Sequence, residues 1–149
     1  MAGQIQAYED ILDVRDIIAR IEELREARDT LRDEFDATPE NDGIDFDNWV
    51  RHQEGFSSDE ADELQTLEAL MKDLVGVGVD KKWEGVWYPI TLIRDSYFKD
   101  YAQELADDIG AINSGASWPN NCIDWDRAAR ELQMDYSSVE FEGVTYWTR

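Results

Sequence analysis

Apolar side chains recur at helical spacing in the first half of the chain. From Val14 to Phe35 they step by threes, fours and one double step of seven, which is the stripe of a long amphipathic helix. Asp13 precedes this stripe as a candidate N-cap, and the turn residues of 38–43 end it. The pattern therefore predicts one helix between Asp13 and Asp36.

A second apolar stripe follows a connector of about 20 residues. Ser57 and Glu60, which have the spacing of a capping box, precede it, and the glycines Gly76 and Gly78 end it. Because neither stripe can be buried by its own helix, the two helices are expected to form an antiparallel hairpin. The second stripe consists of Ala61, Leu64, Leu67, Met71 and Leu74, and the connector contains Phe46, Trp49 and Phe56.

The pattern changes in the second half. Residues Gly85–Ile93 are aromatic and β-branched, and Pro89 makes this segment an edge strand, a bulge or an extended lead into a helix. A helix capped by Asp95 or Ser96 is predicted next, with Tyr97, Phe98, Tyr101, Leu105 and Ile109 on its inner face.

Asp124 is then a candidate cap for a short helix, whose inner side carries Trp125, Ala128, Ala129 and Leu132. Alternation around a Glu142-Gly143 turn predicts a closing β-hairpin over residues 138–147. We find no internal repeat. The predicted fold is α+β, with an acidic helical hairpin over residues 1–79 and a small module of helices and a β-hairpin over residues 80–149.

Charge narrows the possible partners. The 149 residues carry 35 Asp and Glu against 14 Lys and Arg, a net charge of −21, and residues 9–79 alone carry −15. A field of this sign repels phosphate, so we expect neither nucleic acid nor an anionic membrane surface as a partner, and we expect a basic protein instead. The apolar runs are too short for a membrane span, and the N-terminus lacks the layout of a signal peptide, so the expected location is the cytoplasm.

Signatures of catalysis and metal binding are few. The chain has one histidine, His52, and one cysteine, Cys122, and it lacks a phosphate-binding glycine loop, a nucleophile elbow and a Cys-x-x-Cys pair. Asp42, Asp45, Asp47 and Glu54 loosely resemble a calcium loop, but the position that needs glycine is Val50. Glu104, Asp107 and Asp108 lack the Glu-x-x-His of di-iron bundles. We expect no enzymatic activity, no metal and no cofactor, and a small carboxylate enzyme stays an alternative.

The acids of the first helix form the most informative pattern. They recur by fours and threes, so they lie in one stripe whose neighbours are about 5–6 Å apart. A helix of 24 residues spans ~36 Å, about one turn of a DNA duplex, so the stripe can imitate a phosphate backbone for a basic cleft. The acid stripe consists of Glu22, Glu26, Asp29, Asp33 and Asp36.

Two other interpretations of the same charges remain open. Arg15, Arg20, Arg25, Arg28 and Arg32 lie on the same helix and could pair with the acids as an ordinary solvated surface. The 20 Asp and only 4 Lys would also suit adaptation to high salt. The aromatic residues, which include Trp83, Trp87, Trp118, Trp125, Tyr146 and Trp147, have no basic track beside them and are expected in the core rather than against nucleobases.

The C-terminal third carries a resemblance. Residues 123–132, Asp135-Tyr136 and the terminal Gly143–Trp147 resemble the closing segment of the antirestriction protein ArdA family, and residues 98–108 are similar to that family's acidic helix. The resemblance implies an acidic, dimeric protein of phages and mobile elements that occupies the DNA-binding site of type I restriction-modification enzymes. The acids inside the closing motif are Asp124, Asp126, Glu131 and Asp135, and Asp107 and Asp108 at the end of the similar acidic helix are further candidates for binding a partner.

These observations together predict a non-enzymatic, DNA-mimicking inhibitor of a basic DNA-binding protein in the host bacterial cell. The N-terminal hairpin does not resemble the family's usual N-terminal region, so a CRISPR surveillance complex is an alternative target. A coiled-coil adaptor that dimerises through Leu24, Leu31, Leu64 and Met71, with its charge serving solubility, is the alternative function.

Overall fold

The computed structural model describes residues 4–50, 52, 53, 55–113 and 115–149. It contains both helices and strands, which confirms the predicted α+β class. The helices are α1 (Val14–Asp36), α2 (Phe46–Val50), α3 (Ser58–Leu74), α4 (Phe98–Asp108) and α5 (Trp125–Gln133). The strands are β1 (Ile11–Asp13), β2 (Lys81–Trp83), β3 (Val86–Tyr88), β4 (Thr91–Arg94), β5 (Ser137–Phe141) and β6 (Val144–Thr148). Among the described residues, no helix is both long enough and apolar enough to cross a membrane.

The chain divides into two compact units. The first contains Arg15–Asp73, and the second contains Gln6–Val14 together with Leu74–Arg149. The sequence places the boundary at 79/80 and assigns the N-terminal residues to the first domain. The second unit takes up Gln6–Val14 because β1 pairs antiparallel with β4, with Ile11 opposite Ile93.

Two features of α1 and α3 agree with the sequence. Helix α1 begins directly after Asp13 and ends at Asp36. Helix α3 begins at Ser58, where the backbone N–H of Glu60 donates to Oγ of Ser57 at 3.4 Å, so the predicted cap is confirmed. Both apolar stripes are buried, except that Ala61 and Leu31 are half-buried.

A cluster of aromatic rings holds the connector to the end of α1. The ring of Phe35 packs edge-on against Phe46 at 5.4 Å between centroids and lies 5.0 Å from Trp49. The guanidinium of Arg32 lies 4.7 Å from the centroid of Phe46. Helix α2, which supplies both connector rings, was not predicted, because five residues are too few to show a helical period.

The second unit is built on a four-stranded antiparallel sheet in the order β1-β4-β6-β5, and β2 and β3 form a separate two-stranded sheet. The predicted closing hairpin is confirmed as β5–β6. The segment 85–93 is not one edge strand, since it is divided between β3 and β4 in different sheets. Both hairpins turn on a Glu-Gly pair with two positive φ angles, 50° and 80° at Glu84-Gly85 and 51° and 79° at Glu142-Gly143. Such angles are typical of a type I′ turn, which matches the twist of the strands.

The core of the second unit is centred on Phe98, which is 1% exposed and clusters with Ile93, Ala102 and Ala129. The ring of Phe98 packs edge-on against Tyr136 at 5.2 Å and lies 6.2 Å from Trp147. These contacts join α4 to β4, α5 and β6. The predicted cap of α5 is confirmed, because Oδ1 of Asp124 accepts a hydrogen bond from the backbone N–H of Arg127 at 3.1 Å.

Several predictions for this unit are wrong. A 3₁₀ turn, Asp95–Tyr97, precedes α4, and no side chain caps the helix. Asp95 instead accepts a hydrogen bond from Nε1 of Trp147 at 2.8 Å. Ile109 is not on the inner face, since it is 69% exposed. Trp118 and Trp87 are not in the core either, with exposures of 75% and 46%.

Tyr146 is a core residue, as predicted, and is fully buried. Its hydroxyl lies 2.9 Å from the carbonyl oxygen of Ala7 and 2.7 Å from that of Glu9, so it donates to the N-terminal segment. Burial raises the pKa of Tyr146 to about 12. The phenol is therefore neutral, and able to donate, through the physiological range.

Replacing Phe98 tests the core of the second unit. We expect Phe98→Ala to lower the free energy of unfolding by about 3–5 kcal/mol, because it leaves a cavity among packed rings. Ile109→Ala, on the exposed end of the same segment, is the matched control and should change stability by less than ~0.5 kcal/mol. Urea denaturation followed by tryptophan fluorescence measures both, and equal losses would contradict this description of the core.

Alkaline pH should weaken the attachment of the N-terminal segment. A tyrosine in an unfolded chain has a pKa of ~10, and the folded value for Tyr146 is higher, at about 12. Its contribution to stability is therefore fully present below pH ~10 and is lost as the pH rises through the folded pKa. We expect Tyr146→Phe to be less stable at pH 8 and to lose less additional stability between pH 10 and 12. Denaturation midpoints measured across that range check this expectation. If the midpoints of the native protein and of Tyr146→Phe fall in parallel, Tyr146 does not have this role.

Candidate protein-binding surface

The five acids of the predicted stripe, Glu22 to Asp36, are all exposed on α1. Fourteen residue steps separate the first acid from the last, so the acid stripe is ~21 Å long at ~1.5 Å per residue. That length is about six-tenths of a duplex turn of ~34–36 Å. The acid stripe is therefore shorter than the helix that carries it, and it offers five carboxylates in one row.

The opposite face of α1 explains why a helix with such a row is stable. Ile17 and Ile21 are fully buried and Leu24 is 2% exposed. Repulsion between like charges one turn apart costs a few tenths of a kcal/mol for each pair, whereas burial of a Leu or Ile side chain contributes about 1.5–3 kcal/mol. Burial of the apolar face outweighs the repulsion.

Arg20 forms its ion pairs with residues outside the acid stripe. Its guanidinium makes two parallel hydrogen bonds to Glu63 on α3, from Nε to Oε2 at 2.6 Å and from Nη2 to Oε1 at 2.8 Å. A third bond joins Nη1 to Glu23 at 3.0 Å. Both side chains of the Arg20–Glu63 pair are largely buried, with exposures of 15% and 13%. The hydrogen bonds to Glu63 raise the pKa of Arg20, so its guanidinium stays charged at any physiological pH.

Arg25 also contacts α3, through Glu68 at 3.4 Å. Both interhelical pairs join residues 43 positions apart. Closely aligned antiparallel helices would instead pair later residues of one helix with earlier residues of the other. The ion pairs therefore establish a contact between α1 and α3, and the antiparallel direction of the two helices stays a prediction.

Only part of the acid stripe is paired with arginines of its own helix. Arg28 lies 3.5 Å from Asp29, and Arg32 lies 3.3 Å from Asp36 in an exposed pair. Within the described part of the chain, Glu26 and Asp33 have no ion-pair partner. The alternative interpretation, in which arginines of the same helix pair with the acids, therefore applies to Asp29 and Asp36 and does not apply to Glu26 and Asp33.

The acids named by the family resemblance lie in the other unit. All six are exposed, but three have local roles. Asp124 caps α5, Asp126 lies 3.3 Å from Lys99, and Glu131 lies 3.3 Å from Arg127. The remaining three are Asp107, Asp108 and Asp135. The predicted site is therefore divided, with five acids on one helix of the first unit and six in the second.

The described residues show no arrangement of ligands that would support the alternatives that involve a metal. Among the described residues, no group of three or more His, Cys, Asp or Glu side chains is arranged to hold a metal ion. Helix α2 occupies the segment compared with a calcium loop, and Glu54 lies outside the described residues. Glu104 accepts a hydrogen bond from the hydroxyl of Tyr97 at 2.7 Å. The absence of a cofactor and of enzymatic activity stays a prediction.

Sequence reasoning missed Glu63 and Glu68. Both lie beside the apolar stripe of α3, at positions where charged side chains of packed helices commonly pair with a neighbouring helix. Their position beside the apolar stripe was the feature of the sequence that could have identified them.

In comparisons with known proteins, no family model, no curated protein and no solved structure matches the chain.

The two kinds of arginine pair on α1 should differ in energy. In a double-mutant cycle with Arg20→Met and Glu63→Gln, we expect a coupling of about 1–2 kcal/mol, because the pair is bidentate and largely buried. The same cycle with Arg32→Met and Asp36→Asn should give about 0.3–0.5 kcal/mol, as exposed pairs do. Urea denaturation of the seven proteins measures both couplings, and similar values would mean that the Arg20 pair does not join α1 to α3 in solution.

Proposed function

We propose that this protein is a non-enzymatic DNA mimic, which inhibits a basic DNA-binding protein by occupying its DNA-binding groove. The observation that carries the proposal is the acid stripe of α1. Its five carboxylates are exposed along one face, and Arg20 and Arg25 form ion pairs with α3. A groove that holds a phosphate backbone with Lys and Arg has the charge to hold such a row.

Rigidity supports the proposal as well as charge. The bidentate pair of Arg20 with Glu63 and the buried apolar face anchor α1 within the first unit. A preformed row of charges loses little conformational entropy when it binds, whereas a flexible acidic tail would lose much more. The net charge of −21 adds long-range attraction to a basic partner and speeds association.

The buried stripes weigh against the coiled-coil adaptor. Leu24, Leu64 and Met71 are 2–4% exposed within a single chain. A coiled-coil dimer needs these side chains at its seam, so its formation would require the first unit to open. The first unit therefore offers a partner its exposed charges rather than its apolar stripes.

The target class follows from the mechanism and from the resemblance to the ArdA family. That resemblance rests on the residues of the C-terminal third and implies a type I restriction-modification enzyme. A CRISPR surveillance complex also binds DNA through a basic channel, so the same acid stripe would suit it. We propose a restriction enzyme of the bacterial host as the first target to test, with the protein acting in the host cytoplasm.

Neutralising the acid stripe tests the proposal. We expect Glu22→Gln, Glu26→Gln, Asp29→Asn and Asp33→Asn together to leave the fold intact and to weaken inhibition at least tenfold, because four screened ion pairs are lost. The measurement is displacement of a fluorescent DNA duplex from a type I restriction enzyme, and from a CRISPR surveillance complex in parallel, followed by anisotropy.

The matched control removes the same charge elsewhere in the first unit. Glu40→Gln, Asp42→Asn, Asp45→Asn and Asp73→Asn change four exposed acids outside the acid stripe. This variant should stay within about threefold of the native protein, since only long-range steering changes. If the two variants lose equal potency, bulk charge rather than the stripe is responsible.

Inhibition should also fall steeply between low and moderate salt, whereas a protein adapted to high salt would gain stability over that range.

A further inference from the structure

A pocket in the first unit lies beside the acid stripe. Its volume is about 270 Å³, and Val50, Phe56 and Leu64, which are 2–4% exposed, form its apolar lining. Asp47 of α2 and Glu68 of α3 supply carboxylates to it. Small-molecule sites have volumes of about 300–1,000 Å³, so this pocket suits a single side chain better than a ligand of that size.

The charges around the pocket indicate the sign of its occupant. Asp47 is exposed, and among the described residues it has no ion-pair partner. Glu68 uses Oε1 for Arg25 at 3.4 Å, which leaves its second oxygen available to accept. Arg28 is the cation of the wall, and it lies 3.5 Å from Asp29 of the acid stripe. A cationic head group would therefore find in the lining a carboxylate that has no ion-pair partner among the described residues.

We propose that this pocket binds an arginine side chain of the partner protein. The methylene groups of the arginine would pack on Val50, Phe56 and Leu64, and its guanidinium would donate to Asp47 and Glu68. Arginine combines an apolar stem with a planar group of five donors, which matches an apolar floor beside two carboxylates. The inference rests on the proposed function, since it takes the partner to be basic.

The pocket would add specificity to a surface that otherwise attracts any basic protein. A row of exposed carboxylates steers cations and contributes little geometric selection. A side chain that is anchored in a pocket with an apolar floor is typical of the few residues that dominate binding energy at interfaces, where arginine is enriched. The contact between Arg28 and Asp29 places the pocket next to the acid stripe, so one partner surface would reach both.

Direct binding of a small probe tests the pocket without the partner. We expect Nα-acetylarginine methylamide at millimolar concentration to shift the backbone amide resonances of Val50, Phe56 and Gln65 in ¹⁵N-labelled protein. The neutral isostere Nα-acetylcitrulline methylamide should cause no comparable shift. Asp47→Asn should weaken binding of the arginine probe about two- to fivefold, as expected for loss of a partly exposed ion pair.

Matched variants separate the pocket from general electrostatics. Asp45→Asn removes the same charge two residues away, outside the lining, and should bind the probe as the native protein does. Ala61→Phe places a ring in the pocket and should abolish the shifts, whereas Ala69→Phe on the exposed side of α3 should not.

The proposal is overturned if Asp47→Asn and Asp45→Asn bind the arginine probe equally, if the citrulline probe acts as well, or if the shifts occur only along the acid stripe. These outcomes are independent of the DNA competition. A protein that binds the probe and fails to displace DNA would refute the mimic and keep the pocket, and the reverse result would refute the pocket alone.

Discussion

The bidentate ion pair between Arg20 and Glu63 is the interaction on which the first unit depends. Helix α1 carries a row of like charges that repel one another, so it needs a fixed neighbour and a buried face to persist. The pair supplies the directional part of that support, and Ile17, Ile21 and Leu24 supply the apolar part. Because the same guanidinium is committed to α3, it is not available to the carboxylates of the acid stripe. The pair therefore both joins α1 to α3 and leaves the acid stripe without this arginine.

The long amphipathic helices could be predicted from sequence, because α1 and α3 repeat their apolar residues over several turns. The closing hairpin was also predictable, because a Glu-Gly turn lies between two alternating segments. The first hairpin has the same Glu-Gly-Val sequence at residues 84–86, and the structure gives it the same turn. The sequence does not predict this first hairpin, because strands β2 and β3 have three residues each, too few to show alternation.

Strand β1 could not be found in this way. It pairs with β4 about 80 residues later in the chain, so its existence depends on a contact that no local pattern encodes. Tyr146 reinforces the same contact by donating to carbonyl groups near residue 8. The two units therefore differ from two successive sequence domains, since a short N-terminal segment belongs with the C-terminal sheet.

The candidate surface shows the same division between local and non-local information. Exposure of the five acids follows from the period of α1 alone, so the sequence predicts it. The ion-pair partners of the arginines do not follow from that period, because they depend on which glutamates of α3 lie near each arginine. Counting charges along α1 treats Arg20 and Arg32 alike, although one is 15% exposed in a bidentate interhelical pair and the other is 51% exposed beside Asp36. How much of the acid stripe keeps its charge unpaired therefore depends on tertiary structure, since Arg20 and Arg25 pair with α3 whereas Arg28 and Arg32 pair with Asp29 and Asp36.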